Sequence, residues 1–252
     1  VAAVRPTRHR YGDLRSQVGD LWPPAESGPG PVPVVMLLHG GYWRSIYTKA
    51  VMNRLARAVA GRGWAAWNVE YRRVGPLGGG GGFPATFDDV AAALDHVTRL
   101  DGVDPARVIT CGHSAGGCLA LWAAARERSL VRPRGAVSLA GVVDLERADQ
   151  LELGGGAVAR FMGGSFEAHP DRYESSSPSA LVPLGTRQVL VHGLSDTVVP
   201  PSMSADYERA ARGAGDDAVY VPVPGVGHRG LIDPTSAAWP VIVHHLEQLF
   251  SA

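Results

Sequence analysis

The 252-residue chain has 45% hydrophobic and 19% charged side chains, and its 24 basic residues are balanced by 24 acidic ones. This composition excludes a disordered or low-complexity chain. The neutral balance supplies no long-range field for nucleic acid, an anionic membrane or a strongly charged substrate, although local patches stay open.

By size scaling, a fold of this mass buries about 70% of its unfolded surface and leaves roughly 11,000 Å² exposed, so one large core and a single domain over residues 1–252 are expected. No stretch approaches the ~18 consecutive apolar residues of a membrane span, and residues 1–13 lack the apolar core of a signal peptide. The expected location is the cytoplasm. Cys111 and Cys118 are too few for a disulfide framework, and no CxxC or HExxH spacing occurs, so neither a metal nor a cofactor is expected.

In chain order, Ser16 to Leu21 is expected as an edge strand, and the Pro-rich stretch 23–33 as a surface connection. Val34 to His39 (VVMLLH) is a continuous apolar run between Pro33 and Gly40-Gly41, the pattern of a strand buried on both faces. Thr48 to Ala60 has helical periodicity, and Ala65 to Val69 reads as a second inner strand. Five consecutive glycines, Gly78 to Gly82, are costly to order and predict a mobile loop.

A helix is expected over Phe87 to Leu100, a strand over Val108 to Cys111, a helix over Ala115 to Arg126 and a weaker strand over Ala136 to Leu139. Leu145 to Leu184 contains a Gly triplet and a Ser175-Ser176-Ser177-Pro178 turn, and is expected to form a small lid of short helices. Then come a strand at Val189 to His192, a helix at Pro201 to Arg212, a weaker strand at Ala218 to Val223 and a last helix at Trp239 to Phe250. Strands alternating with helices predict an α/β fold with a mostly parallel central sheet covered on both faces.

Directly after the strand at 108–111 stands Gly112-His113-Ser114-Ala115-Gly116, a G-x-S-x-G sequence in the strand-turn-helix setting that this motif requires. The glycines permit a turn sharp enough to project the Ser114 hydroxyl above the carboxyl edge of the sheet, while the following helix aims its first amides at developing negative charge. A serine hydroxyl attacks well only when an imidazole takes its proton and an acid fixes that imidazole's tautomer. For this elbow the chain order is Ser, acid, His, each on a loop after a later strand. Asp196 in His192-Gly193-Leu194-Ser195-Asp196 and His228 in Gly225-Val226-Gly227-His228 meet both conditions.

The competing residues fail on position. His244 and His245 lie inside the last helix, Asp233 follows His228, Asp206 lies within a helix, and Asp216 and Asp217 precede a strand at its wrong end. His192 within a strand and His113 within the elbow read as packed or hydrogen-bonded histidines. His39-Gly40-Gly41-Tyr42-Trp43 follows the first inner strand, and its glycines let backbone amides approach a substrate. The expected oxyanion donors are the amides of Gly41, Tyr42 and Ala115. Tyr42, Trp43, Phe83, Phe161 and Met162 are the expected substrate-binding side chains, which favour a small apolar or aromatic substrate.

Together the His39-Gly40-Gly41 loop, the Ser114 elbow, the Asp196 loop and Gly227-His228 resemble an α/β-hydrolase of the esterase/lipase group. With Arg44, the His39 to Trp43 sequence is similar to the HGGYW loop of kynurenine formamidase (arylformamidase) relatives. The resemblance implies a serine hydrolase that cleaves a small ester or N-formyl/aryl amide through an acyl-enzyme, with Ser114, Asp196 and His228 as triad. The alternatives are a general short-chain carboxylesterase and a ligand-binding protein on a hydrolase scaffold. The second would be marked by missing triad members, and all three are present. A metal-dependent hydrolase has no ligand cluster to support it.

Overall fold

The apolar run that begins at Val34 lies in the middle of an eight-stranded sheet in the computed structural model, which describes residues 5–25 and 30–251. Residues 26–29 of the Pro-rich connection, the first four residues and the last one lie outside the described part. The strands are β1 (Thr7–Arg10), β2 (Val18–Trp22), β3 (Val32–Leu38), β4 (Ala65–Val69), β5 (Val103–His113), β6 (Gly135–Leu139), β7 (Arg187–Gly193) and β8 (Ala218–Val223). Their order across the sheet is β1-β2-β4-β3-β5-β6-β7-β8; β1 and β2 are antiparallel additions, and β4 through β8 run parallel with β3.

Because successive side chains of a strand point to opposite faces, an inner strand is apolar on both, with buried polar residues such as Asn68 and His192 held by hydrogen bonds. In β3, Val34, Met36 and Leu38 enter one core and Val35 and Leu37 the other; in β7, Leu190 enters the first while Val189 and Val191 enter the second. Each such side chain stabilises the fold by about 1.5–3 kcal/mol on burial. The first core is covered by α2 (Ala85–Asp95), α3 (Ala115–Ala125) and α7 (Pro201–Gly213), and the second by α1 (Asn53–Ala60) and α8 (Ala238–Ser251). This is the α/β-hydrolase arrangement, with helices on both faces of a mostly parallel sheet. No described helix is long and apolar enough to cross a membrane.

Two expectations are corrected, one at residue 18 and one at the glycine run. The strand near residue 18 is not at the edge, because the polar β1 pairs outside it through backbone hydrogen bonds. The segment 145–184 forms α4 (Leu145–Gln150), α5 (Leu153–Met162), α6 (Pro170–Glu174) and a 3-10 turn at Pro178–Ala180, with Val158, Phe161, Met162 and Tyr173 driven into the first core.

The glycine run is a closed turn around Arg73 rather than a free loop. The Arg73 amide donates to Gly78 O at 2.7 Å, and the Gly81 amide donates back to Arg73 O at 3.0 Å. A Cβ at Gly81 would lie 2.2 Å from Arg73 N, so a side chain there displaces backbone. Gly81→Ala is therefore expected to lower stability by roughly 1–3 kcal/mol through overpacking. Gly213→Ala, at a helix end with nothing within 4 Å of the added carbon, should be neutral or raise it by about 0.5 kcal/mol. Urea denaturation of the two variants checks the contrast, and equal midpoints would contradict it.

Candidate active site

Strand order reverses around β3, whose parallel neighbours are β4 on one side and β5 on the other, and open α/β sheets bind ligands outside the carboxyl ends of strands at such a switch point. The loops that leave β3 and β5 there carry Gly40-Gly41-Tyr42 and Ser114. Ser114 occupies the cap of α3 at φ 56° and ψ −121°, a backbone conformation that an L-residue adopts only when its surroundings enforce it. Its amide donates to Leu139 O at 2.9 Å, while its carbonyl accepts from the amides of Gly117 at 2.8 Å and Val142 at 3.2 Å. The flanking glycines are sterically required: a Cβ at Gly112 would lie 1.9 Å from Gly116 O, and one at Gly116 would lie 2.1 Å from Leu38 O.

Asp196 and His228 meet across the loops after β7 and β8. His228 Nδ1 lies 2.7 Å from Asp196 Oδ2, so it carries the proton and donates to the carboxylate, which leaves Nε2 with a lone pair. The other carboxylate oxygen accepts from the amides of Val198 at 2.8 Å and Val199 at 3.1 Å. A third partner was only partly legible in the sequence. The buried His192 sets Nε2 against Val199 O at 3.0 Å and Asp196 Oδ2 at 3.2 Å, both acceptors, so Nε2 is the protonated nitrogen and Nδ1 accepts from the Ser204 hydroxyl at 2.8 Å. Burial opposes the Asp196 charge, but the hydrogen bonds from His192, His228 and the Val198 amide outweigh it and hold the carboxyl well below the usual range.

Ser114 and His228 line one pocket of about 440 Å³, together with Gly40, Gly41, Tyr42 and Arg44. Among the described residues the Ser114 hydroxyl has no hydrogen-bond partner, and neither does His228 Nε2. Catalytic hydrogen bonds of this kind are often long until substrate arrives. Of the oxyanion candidates, Gly41 and Tyr42 line the same space, and Ala115 follows Ser114 at the start of α3. Gly41 has φ 111°, and Tyr42 and Trp43 follow at 51° and 54°, a strained run held by Arg44 N to Gly41 O at 3.0 Å and Val74 N to Trp43 O at 2.8 Å. The amides of Gly41 and Tyr42 donate to no described residue, and Ala115, as the first residue of α3, has no intrahelical acceptor for its own. Behind the loop, His39 is fixed by Glu70 Oε1 at 2.9 Å and by the Tyr71 ring stacked at 4.2 Å.

Of the expected pocket side chains only Tyr42 lines this space. Trp43 is fully buried and stacked on Phe161 at 4.1 Å, and Met162 is fully buried beside them, because these apolar groups complete the first core below the loop. Phe83 packs edge-on to Phe87 with the Arg172 guanidinium over its other face. The pocket wall is completed instead by Tyr47, Val51, Val198, Arg229 and Ile232, none of which carries a motif. No residue of 145–184 lines it; Gly154 instead abuts the Tyr42 ring from outside.

A family model described as BD-FAE matches residues 20–210. This chain belongs to the BD-FAE family. Esterase LipC of Mycobacterium tuberculosis is 28% identical over 249 residues, covering 89% of this chain, and the chain spans 60% of the length of that relative. Among solved structures, a truncated carbohydrate esterase from gut microbiota superposes with a TM-score of 0.84 at 20% identity over 100% of this chain and 99% of that one. Esterase B of Lactobacillus rhamnosis reaches 0.83 at 17% identity over 99% and 87%. Esterase 2 of Thermogutta terrifontis reaches 0.75 at 21% identity over 98% and 91%. These neighbours share the α/β-hydrolase fold of the chain.

His113 supplies a test of the site's stability. Burial, with the nearby His228 adding to it, lowers its pKa to about 3, while its Nε2–H donates to His228 O at 3.0 Å. Between that value and the ordinary ~6.5 the unfolded chain binds a proton that the folded one refuses, so stability falls as pH drops through this window, by up to about 1.4 kcal/mol per pH unit. Denaturant midpoints measured from pH 7 to 4 should fall more steeply for the wild type than for His113→Asn. Parallel lines would refute the assignment.

Proposed function

We propose that this member of the BD-FAE family is a carboxylesterase acting on small esters, with Ser114 as nucleophile, His228 as general base and acid, Asp196 as the group that orients His228, and the amides of Gly41, Tyr42 and Ala115 as the oxyanion site. The observation that carries the reading is the 2.7 Å contact of His228 with Asp196 at a pocket that also exposes the strained Ser114 elbow. The esterase names of the relatives support the same chemistry.

Ser114 Oγ attacks the ester carbonyl carbon as its proton passes to His228 Nε2, and the carbonyl oxygen takes up negative charge against the three amides. Collapse expels the alkoxide, which leaves with the proton from His228, and the acyl group stays on Ser114. Water then attacks the acyl-serine, gives a proton to His228, and the carboxylic acid departs as Ser114 recovers its hydrogen. Asp196 stays ionised throughout, because its own hydrogen bonds favour the anion.

A formamidase is the second reading, favoured by the His39-Gly40-Gly41-Tyr42-Trp43 loop. The same steps would apply to an N-formyl group, with an amine in place of the alkoxide. Rates on N-formylkynurenine beside p-nitrophenyl esters of increasing chain length separate the two, since a formamide preference selects this one.

Ser114→Ala should reduce p-nitrophenyl acetate turnover by roughly four orders of magnitude or more and abolish labelling by a fluorophosphonate, with the circular dichroism spectrum unchanged. Asp196→Asn should lower kcat by roughly two to four orders, since the imidazole tautomer is no longer held. Wild-type rates in Ser114→Ala, or failure of the wild type to label, would overturn the reading in favour of a binding protein.

A further inference from the structure

Two arginines, Arg44 and Arg229, line the catalytic pocket, and no aspartate or glutamate does. Other arginines near the core are neutralised: Arg72 meets Asp89 at 2.7 Å, Arg73 meets Glu70 at 3.2 Å and Arg147 meets Asp206 at 2.6 Å. Arg229, next in the chain to His228, is exposed, and its side chain makes no hydrogen bond or ion pair with any described residue. Arg44 donates to the Gly154 carbonyl and lies 5.9 Å from the Tyr42 ring centre, contacts that orient the guanidinium without cancelling its charge. The carboxylate behind His228 does not cancel it either, since the fully buried Asp196 side chain is committed to two histidines and two amides.

Two pocket-lining arginines with no carboxylate partner among the described residues supply the elements of a carboxylate receptor, because planar N–H forks match carboxylate geometry and apolar surroundings strengthen the attraction. The hydrocarbon surface of Val51, Val198 and Ile232 lies in the same pocket and suits the carbon skeleton between an ester and a remote charge. We propose that the preferred ester carries a carboxylate, held by Arg44 and Arg229 while its carbonyl reaches Ser114. This rests on the serine-esterase reading and narrows it to anionic esters. The charge can sit on the acyl half or on the alcohol half of the ester, and the receptor chemistry is the same for both.

Two matched pairs distinguish these sources. 4-Acetoxybenzoate against neutral 4-acetoxybenzamide puts the charge on the leaving group, and monomethyl terephthalate against methyl 4-carbamoylbenzoate puts it on the acyl group. The readout is the ratio of kcat/KM for the anionic ester to that for its neutral partner, so that any loss common to both cancels. In the wild type one pair should give a ratio above about tenfold, which shrinks as KCl is raised from ~0.05 to ~0.5 M. The ratio should drop about threefold in Arg229→Gln and about tenfold in the Arg44→Gln/Arg229→Gln double variant.

Ratios at or below one in both pairs, or a ratio insensitive to the double substitution, would overturn the carboxylate claim while the esterase reading stands. Fluorophosphonate labelling with neither anionic ester cleaved also overturns the claim and keeps the nucleophile. No turnover of any of the four esters, together with no labelling, sinks the esterase reading and this inference with it.

Discussion

The site depends on a close approach of main chains at the start of α3. Gly116 lets the first turn of α3 sit directly on the ends of the strand before the oxyanion loop, where any Cβ would fall 2.1 Å from Leu38 O and 2.5 Å from His39 O. Gly40 allows the reciprocal contact, since a Cβ there would meet His113 O at 2.8 Å and Ser114 Cβ at 2.9 Å. These absences of side chain bring the nucleophile elbow and the amide-bearing loop into one corner. Left-handed backbone at Ser114, Tyr42 and Trp43 costs of order 1–3 kcal/mol at each residue, offset by the backbone hydrogen bonds that over-determine each turn.

The second half of the site is stitched together by the same device. Leu194 N donates to Val223 O and Ser195 N to Val226 O, both at 3.0 Å, so the loop that carries Asp196 and the loop that carries His228 are joined through their backbones before their side chains meet. Gly193 makes this possible, because a Cβ there would lie 2.1 Å from Val226 O. The Asp196–His228 contact is thus inherited from the parallel pairing of β7 with β8, and the buried His192 clamps the carboxylate from behind. Cys111 and Cys118 take no part: burial pushes the Cys111 thiol up to about 12 and that of Cys118 higher still, so both remain protonated.

What the sequence made legible follows the range of the interactions involved. An inner strand must be apolar on both faces, so Val34 to Leu38 and Ala65 to Val69 announce themselves locally, as does a glycine-flanked serine after such a strand. The Thr7–Arg10 strand does not, because it is polar along its length and pairs only through its backbone. Trp43, Phe161 and Met162 do not announce their place, because an aromatic or apolar residue can line a pocket or join a core, and here all three join the first core. The glycine run read as mobile because its closure depends on hydrogen bonds to Arg73, a local contact that no composition rule reveals.

Charge shows the same limit. A chain with 24 positive and 24 negative residues has no net field, yet pairing is a property of the folded molecule, and the sum conceals two arginines that fold into the pocket wall without a carboxylate. Both stand on segments that also carry the chemistry: Arg44 is two residues beyond the Tyr42 amide, and Arg229 follows His228. The helical segment 145–184 contributes no wall residue and instead braces the oxyanion loop from outside, with Gly154 against Tyr42 and its carbonyl accepting from Arg44. In the proposed reading, substrate choice and catalysis share the same short loops, so a change at Arg44 or Arg229 would alter how an ester is presented to Ser114 as well as how tightly it is held.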